Sequence, residues 1–230
     1  MMKKIAFCIL VLSVLSCNQE PSNITEPVKP TLSKPHEDLG QLFIDIQMAG
    51  LYPDSKTFVD AEPKYAPDSL IAIYESLKQQ EGFDLKQFVE TYFTLPASGG
   101  ASADIKYRKE LKSHLVSHWD YLTREPDSTT AYTSLIPLQK SYIVPGGRFR
   151  EIYYWDSFFT IVGLAASDRW DMVGNMTDNF AGLIDEVGFI PNGNRSYYLS
   201  RSQPPFFSLM VNLIMRKKGK DEGLQYLPQL

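Results

Sequence analysis

Apolar residues recur at helical spacing through most of the chain. Leu39, Leu42, Phe43, Ile46 and Ala49 fall on one face of a first helix, and Leu70, Ile73, Tyr74 and Leu77 repeat the pattern after Asp68 and Ser69. DLKQFVETYF reads as a third helix, with Asp84 placed to cap it. The segment ADIKYRKELKSHLVSHWDYLTRE puts Ile105, Leu111, Leu115, Trp119 and Leu122 on a stripe. A helix is expected from about Trp155 to Ala166, a break at Ser167 and Asp168, and a second helix from about Arg169 to Val187 that Gly188 ends. A last helix starts near Pro204 and runs to Gly219. Convincing hairpins and alternating βα units are missing from this pattern, so the expected class is all-α.

The N-terminus follows other rules. MMKKIAFCILVLSVLSC has a basic start at Lys3 and Lys4 and an apolar run from Ile5 to Ser16. A spanning helix needs roughly 20 apolar residues, so the run reads as an export signal. Its end, VLSC, resembles the lipobox of bacterial lipoproteins, which makes Cys17 the expected lipidation site; a plain cleaved signal is the alternative. Cys8 would leave with the signal, so no disulfide is expected in the mature chain. From Asn18 to Asp38, Pro21, Pro27, Pro30 and Pro35 recur among polar residues, as in an extended tether. The expected division is 1–17 signal, 18–38 tether and 39–230 folded region. Composition adds one exclusion: among 230 residues the net charge is −4 and no strongly basic patch stands out, which does not fit a nucleic-acid partner.

Neither period accounts for residues 145–159, PGGRFREIYYWDSFF, where charges and rings mix at almost every step. If the helices at 155–166 and 169–187 form an antiparallel pair, this loop lies at the same end as FIPNGNRSYYLSRSQPPFF, residues 189–207, which is equally dense in rings, amides and arginines. That mixture suits a sugar. Apolar C–H faces stack on Trp or Tyr, while hydroxyl rims need carboxylates, amides and guanidinium forks. Arg148, Trp155, Asp156, Asn192, Arg201 and Gln203 fit those roles, and Gly146, Gly147 and Gly193 permit tight turns and close approach to a ligand. Each residue also has a plainer reading. Trp155 and the Tyr153–Tyr154 pair serve equally as core rings, Asp156 as a helix cap, and Arg148 and Arg201 as partners of loop carboxylates such as Glu151. His114 and His118, one helical turn apart, lack a third ligand in the sequence and read as the polar flank of an amphipathic helix.

The first loop is similar to the trehalase signature PGGRFxExYxWDxY, with Phe158 where the pattern has Tyr, and FIPNGNRSYYLSRSQPPFF resembles the trehalase segment that follows it. LGQLFIDIQMAGLYPDSKTFVDA and FDLKQFVETYFTLP resemble the family's N-terminal region. The resemblance implies an inverting glycoside hydrolase that splits α,α-trehalose into two glucoses within an (α/α)₆ toroid, of which this chain would supply the N-terminal part. It places substrate binding on Arg148, Trp155, Asp156, Asn192, Arg201, Ser202 and Gln203, needs no metal or organic cofactor, and makes a small disaccharide the partner; the export signal and VLSC add a membrane partner through Cys17 and a periplasmic location. The family's catalytic Asp and Glu belong to a downstream region with a signature of the QWDxPxGW type, which this sequence lacks, so no catalytic residue is assigned and the chain is expected to be a fragment. A lipid-anchored sugar-binding protein without activity, or a helical interaction module, are the other readings.

Overall fold

The computed structural model describes residues 32–96, 110–128 and 130–230. The signal, Cys17, residues 18–31 of the tether and Ile105 lie outside the described residues. The rest is mostly helical, as expected: α1 (Pro35–Asp38), α2 (Gln41–Met48), α3 (Lys56–Val59), α4 (Pro67–Leu77), α5 (Leu85–Tyr92), α6 (Leu111–Leu122), α7 (Tyr154–Ala166), α8 (Trp170–Val187), α9 (Phe207–Lys218) and α10 (Lys220–Leu224). Two short antiparallel ladders tie segments together. β1 (Glu62–Pro63) pairs with β2 (Phe93–Thr94), and β3 (Thr123–Arg124) with β4 (Tyr142–Ile143).

The apolar faces read from the sequence collect into two clusters. Leu39, Leu42, Ile46, Phe58, Leu70, Tyr74, Phe88, Val89 and Phe93 close the first, built from α2 to α5. Asp84 caps α5 as expected, accepting the backbone N–H groups of Lys86 at 2.8 Å and Gln87 at 3.1 Å. The second cluster centres on α7, α8 and α9, which pack on one another through Ile161, Leu164, Met176, Phe180, Met210 and Ile214.

Two sequence expectations need correction. Residues 33–38 were assigned to the tether, yet Ser33 and Pro35 are buried and 35–38 form α1. Proline is tolerated in a first helical turn, and backbone bonds hold the segment: Ser33 N–H donates to the Thr133 carbonyl at 2.8 Å, and the Ser196 hydroxyl donates to the Ser33 carbonyl. The stripe on α6 is mostly solvent-facing, with Leu111 73% exposed. Only its C-terminal part docks. The Trp119 indole lies against α7, where a Cβ on Gly163 would meet the ring at 3.1 Å, and its N–H donates to Ser167 Oγ at 3.0 Å.

α7 and α8 form the expected antiparallel hairpin. The turn between them spans Ser167 to Arg169, with Asp168 in the left-handed region at φ 59°. At the other end the chain entering α7 meets the chain leaving α8: Tyr153 bridges to Gly193, and Tyr154 N–H donates to the Asn192 carbonyl at 3.2 Å. Gly188 ends α8 at φ 88°, its N–H on the Ile184 carbonyl. Nothing lies within 4 Å of a Cβ built there, so a substitution would cost backbone strain alone. Gly188→Ala is therefore expected to lower unfolding free energy by about 1–2 kcal/mol in urea titrations; an equally stable variant would show that the helix end relaxes without a left-handed residue.

Candidate functional site

The loop before α7 alternates between two environments because its backbone is extended up to Tyr153, the N-cap of α7. Ile152 and Tyr154 enter the large apolar cluster. Glu151 and Tyr153 point the other way, into a cluster of charges. Once the helix begins, the period changes and Trp155 and Asp156 emerge on the surface.

The charge cluster joins this loop to the N-terminal helices. Glu151 is 0% exposed, and its carboxylate takes an ion pair from Lys56 Nζ at 2.7 Å and faces Arg195 Nε at 3.8 Å. Asp60 is buried as well; it pairs with Lys56 on the same α3 face and lies 3.4 Å from Arg150 and 3.8 Å from Arg195. Two phenols complete the shell. Tyr153 donates to Glu151, and Tyr197 donates to Asp60 at 2.6 Å. Burial, with Glu151 next, pushes the Tyr153 hydroxyl far above its ordinary range, and burial with Glu151 and Asp60 does the same to Tyr197. Arg195 loses solvation too, but Asp60 and Glu151 outweigh that loss and hold its proton more tightly. These phenols remain neutral donors.

A row of rings rises from the cluster to the surface. Tyr153 packs edge-on against Phe149 at 5.4 Å and against Tyr198 at 5.6 Å, and the two tyrosine hydroxyls are 3.0 Å apart. An arginine stands over each end: Arg148 is 5.1 Å from the Phe149 centroid and Arg201 is 5.0 Å from that of Tyr198. Both guanidiniums are exposed and neither pairs with Glu151. At Asp54, burial is outweighed by hydrogen bonds from Thr57 and Lys56 and by the charge of Arg148, which together hold the carboxyl below its ordinary range, so the plainer reading keeps a loop carboxylate for Arg148.

The remaining expected site residues converge on the start of α7. Gln203 Oε1 accepts from the Trp155 backbone N–H at 3.0 Å, and its Nε2 donates to Asp156 Oδ2 at 3.3 Å. Asp156 lies within the first turn of α7 and Tyr153 holds the N-cap position, so Asp156 is not the cap; the Gln203 amide accepts the first-turn Trp155 N–H, and the carboxylate stays on the surface. Trp155 is 41% exposed, with Phe159 at 6.4 Å. Asn192 fixes the loop through its backbone, donating to the Arg201 carbonyl at 2.9 Å. Ser202 Oγ donates to the Ile190 carbonyl at 2.6 Å, so this hydroxyl holds the loop and keeps only its lone pairs for a ligand. Arg148 and Arg201 thus stand at the two ends of the ring row, and Trp155, Asp156 and Gln203 meet at the start of α7.

Glycine chemistry differs from the expectation at one position. Gly146 and Gly147 make the tight turn, with φ 94° and 62°. Gly193 instead makes room for protein: a Cβ would meet the Ile152 carbonyl oxygen at 2.8 Å and the Tyr198 ring at 3.1 Å. Sequence reasoning also passed over Lys56, Asp60, Asn194, Arg195 and Tyr197. Asn194 is fully buried and accepts from Ile152 N–H at 3.0 Å while donating to the Ile136 carbonyl at 2.9 Å. The signal for Lys56 and Asp60 was their spacing of one helical turn in KTFVD.

The trehalase family model matches residues 50–230. The chain belongs to the trehalase family. It is 49% identical over 230 residues to the periplasmic trehalase of Escherichia coli O45:K1, covering 100% of this chain and 40% of that protein. It is 50% identical over 215 residues to the putative periplasmic trehalase of Salmonella typhi, covering 92% of this chain and 36% of that protein. The chain therefore spans about 40% of the length of the curated relatives it matches. Among solved structures, the neutral trehalase from Saccharomyces cerevisiae matches 38% of this chain and 16% of its own at 40% identity, with a TM-score of 0.35.

Gly193→Ala is expected to destabilise the chain by about 1–3 kcal/mol, since the Cβ must displace a carbonyl or a packed ring. Near-ultraviolet circular dichroism should report the disturbed Tyr153–Tyr198 pair. An unchanged tyrosine spectrum and melting point would contradict the close approach.

Proposed function

We propose that this chain supplies part of the substrate site of a trehalase, a hydrolase that inverts configuration as it cleaves α,α-trehalose into two glucoses within an (α/α)₆ ring of helices. The observation that carries the reading is the Gln203 amide joined to Trp155 and Asp156 at the start of α7, next in sequence to the Tyr153 ring row that carries Arg148 and Arg201, in a chain belonging to the trehalase family. In this proposal the guanidinium forks grip sugar hydroxyls, the Trp155 face stacks on a glucose ring, and Asp156, oriented by Gln203, accepts from a hydroxyl pair. Asn192 and Ser202 shape the rim. Hydrolysis with inversion needs an acid at the leaving oxygen and a base that activates water, with the carboxyls roughly 6.5–9.5 Å apart. Glu151 is sealed between cations and cannot reach a sugar, and Asp156 serves binding, so both catalytic groups are assigned to other carboxyls. No organic cofactor or metal enters this chemistry.

Titration calorimetry with trehalose tests the site in the purified chain. Binding is expected, and Arg148→Lys or Arg201→Lys should each weaken it by tens-fold, because an ammonium cannot copy a planar fork and a charged hydrogen bond is worth roughly 1.5–3 kcal/mol. Unaltered affinity in both variants would return these arginines to loop structure.

Export to the periplasm and anchoring by a lipid on Cys17 form part of the same proposal. They rest on the basic and apolar N-terminus and VLSC, and on the periplasmic names of the relatives. Cell fractionation should find the parent chain with membranes and Cys17→Ser in the soluble fraction. A parent that is already soluble overturns the anchor.

A further inference from the structure

Lys56 lies far from Arg148 and Arg201 in sequence and touches neither, yet one chain of contacts leads from it to both. Its ammonium is 2.7 Å from Glu151, on which the Tyr153 hydroxyl also donates. That hydroxyl is 3.0 Å from the Tyr198 hydroxyl, and the Tyr198 ring lies under the Arg201 guanidinium. The Tyr153 ring supports Phe149, over which Arg148 stands. A buried carboxylate short of a compensating cation reorganises or takes up a proton, and either change moves or weakens the acceptor on which Tyr153 donates.

We propose that Lys56 is a positioning residue for the two exposed arginines, acting through Glu151 and Tyr153. The functional meaning of the inference rests on the sugar-site reading of those arginines. Its physical content does not. The Lys56 side chain is nearly buried and comes from α3, so the N-terminal helical unit sets the geometry of a site otherwise built from the loops around α7 and α8. Arg195 also faces Glu151, and Arg150 faces Asp60, so removing Lys56 leaves the cluster short of one cation without emptying it.

Selective nitrogen-15 labelling of arginine side chains tests this without any sugar. A guanidinium proton held over a ring face resonates upfield, because the ring current opposes the applied field there. Arg148 and Arg201 should each give an upfield Nε–Hε signal, assigned by Arg148→Lys and Arg201→Lys. In Lys56→Met, which keeps the stem and removes the charge, both signals should lose that displacement. Tyr153→Phe keeps the ring and cuts the hydroxyl link, and should release the Arg201 signal while leaving Arg148 over Phe149. It also keeps the proposal testable if Lys56→Met fails to fold. Tyr142→Phe, which removes a buried phenol–carboxylate bond to Asp127 elsewhere, should lower the melting point and move neither signal. Trehalose affinity should fall roughly tenfold in Lys56→Met if the sugar reading also holds. Displaced signals with no trehalose binding in the parent would sink the sugar reading and keep the positioning role. Both signals retained in a folded Lys56→Met, or the Arg201 signal retained in Tyr153→Phe, would overturn the proposal, as would signals moved equally by Tyr142→Phe.

Discussion

A carboxylate with no exposure to water is the constraint around which this molecule is arranged. Burying an ion costs several kcal/mol even after relaxation, and only close opposite charge with saturated lone pairs offsets that cost. Glu151 meets these conditions with groups from three places: Lys56 on α3, Arg195 in the loop after α8, and Tyr153 beside it. None of these partners substitutes for another by a local adjustment. The consequence is topological. The apolar cluster of α2 to α5 and the cluster of α7 to α9 share little greasy contact surface in their buried cores, and a polar seam connects them. Thr133 donating to Glu62 at 2.9 Å and Ser33 bonded to Thr133 extend that seam. Such a seam favours one relative placement of the two units, since a small slip leaves charges unpaired.

The same constraint explains why a polar and aromatic stretch can serve as scaffold and site together. The extended backbone before α7 sends Glu151 and Tyr153 into the seam and Ile152 and Tyr154 into the apolar cluster. Four consecutive residues are thus clamped from both sides. Arg148 and Phe149 precede the clamp, and Trp155 and Asp156 follow it, so the groups left on the surface hang from a rigid base. Long flexible side chains lose much entropy on binding, and part of that loss is avoided when rings already hold the arginines.

How much of this was legible in the sequence follows from which interactions are local. The α7–α8 hairpin, its glycine stop at Gly188 and the Asp84 cap depend on spacing and on residue preferences within a few positions, and each was readable. The convergence of the two loops followed from the hairpin. Arg148 and Arg201 were picked out by chemistry, but their perch on Phe149 and Tyr198 was not, because ring stacking between loops leaves no period. The charge seam was invisible for the same reason: Lys56 and Glu151 are 95 positions apart, and a lysine in a short helix reads as a solvated flank. α6 erred in the opposite direction. Its stripe has correct spacing, yet Leu111 and Leu115 have little to pack on among the described residues. Periodicity reports that a face is apolar and is silent on what covers it.

Glu151 and Asp156 show how environment divides labour between two acids of a single motif. The sequence assigns neither of them acid–base work, and the structure gives each its reason. Catalysis by a carboxyl requires contact with the reacting bond and freedom to exchange its proton. Glu151 has neither: cations and a phenol occupy its oxygens, and solvent is excluded. Asp156 is open to solvent, and the hydrogen bond its carboxylate accepts from Gln203 at 3.3 Å restrains it without covering it. The switch from extended chain to helix between them produces this difference, since it turns one carboxylate toward the seam and the other toward the surface. The Gln203 amide, bonded at once to the Trp155 N–H and to Asp156, ties the loop after α8 to this first turn, so a residue 47 positions away orients the carboxylate that stays open to solvent.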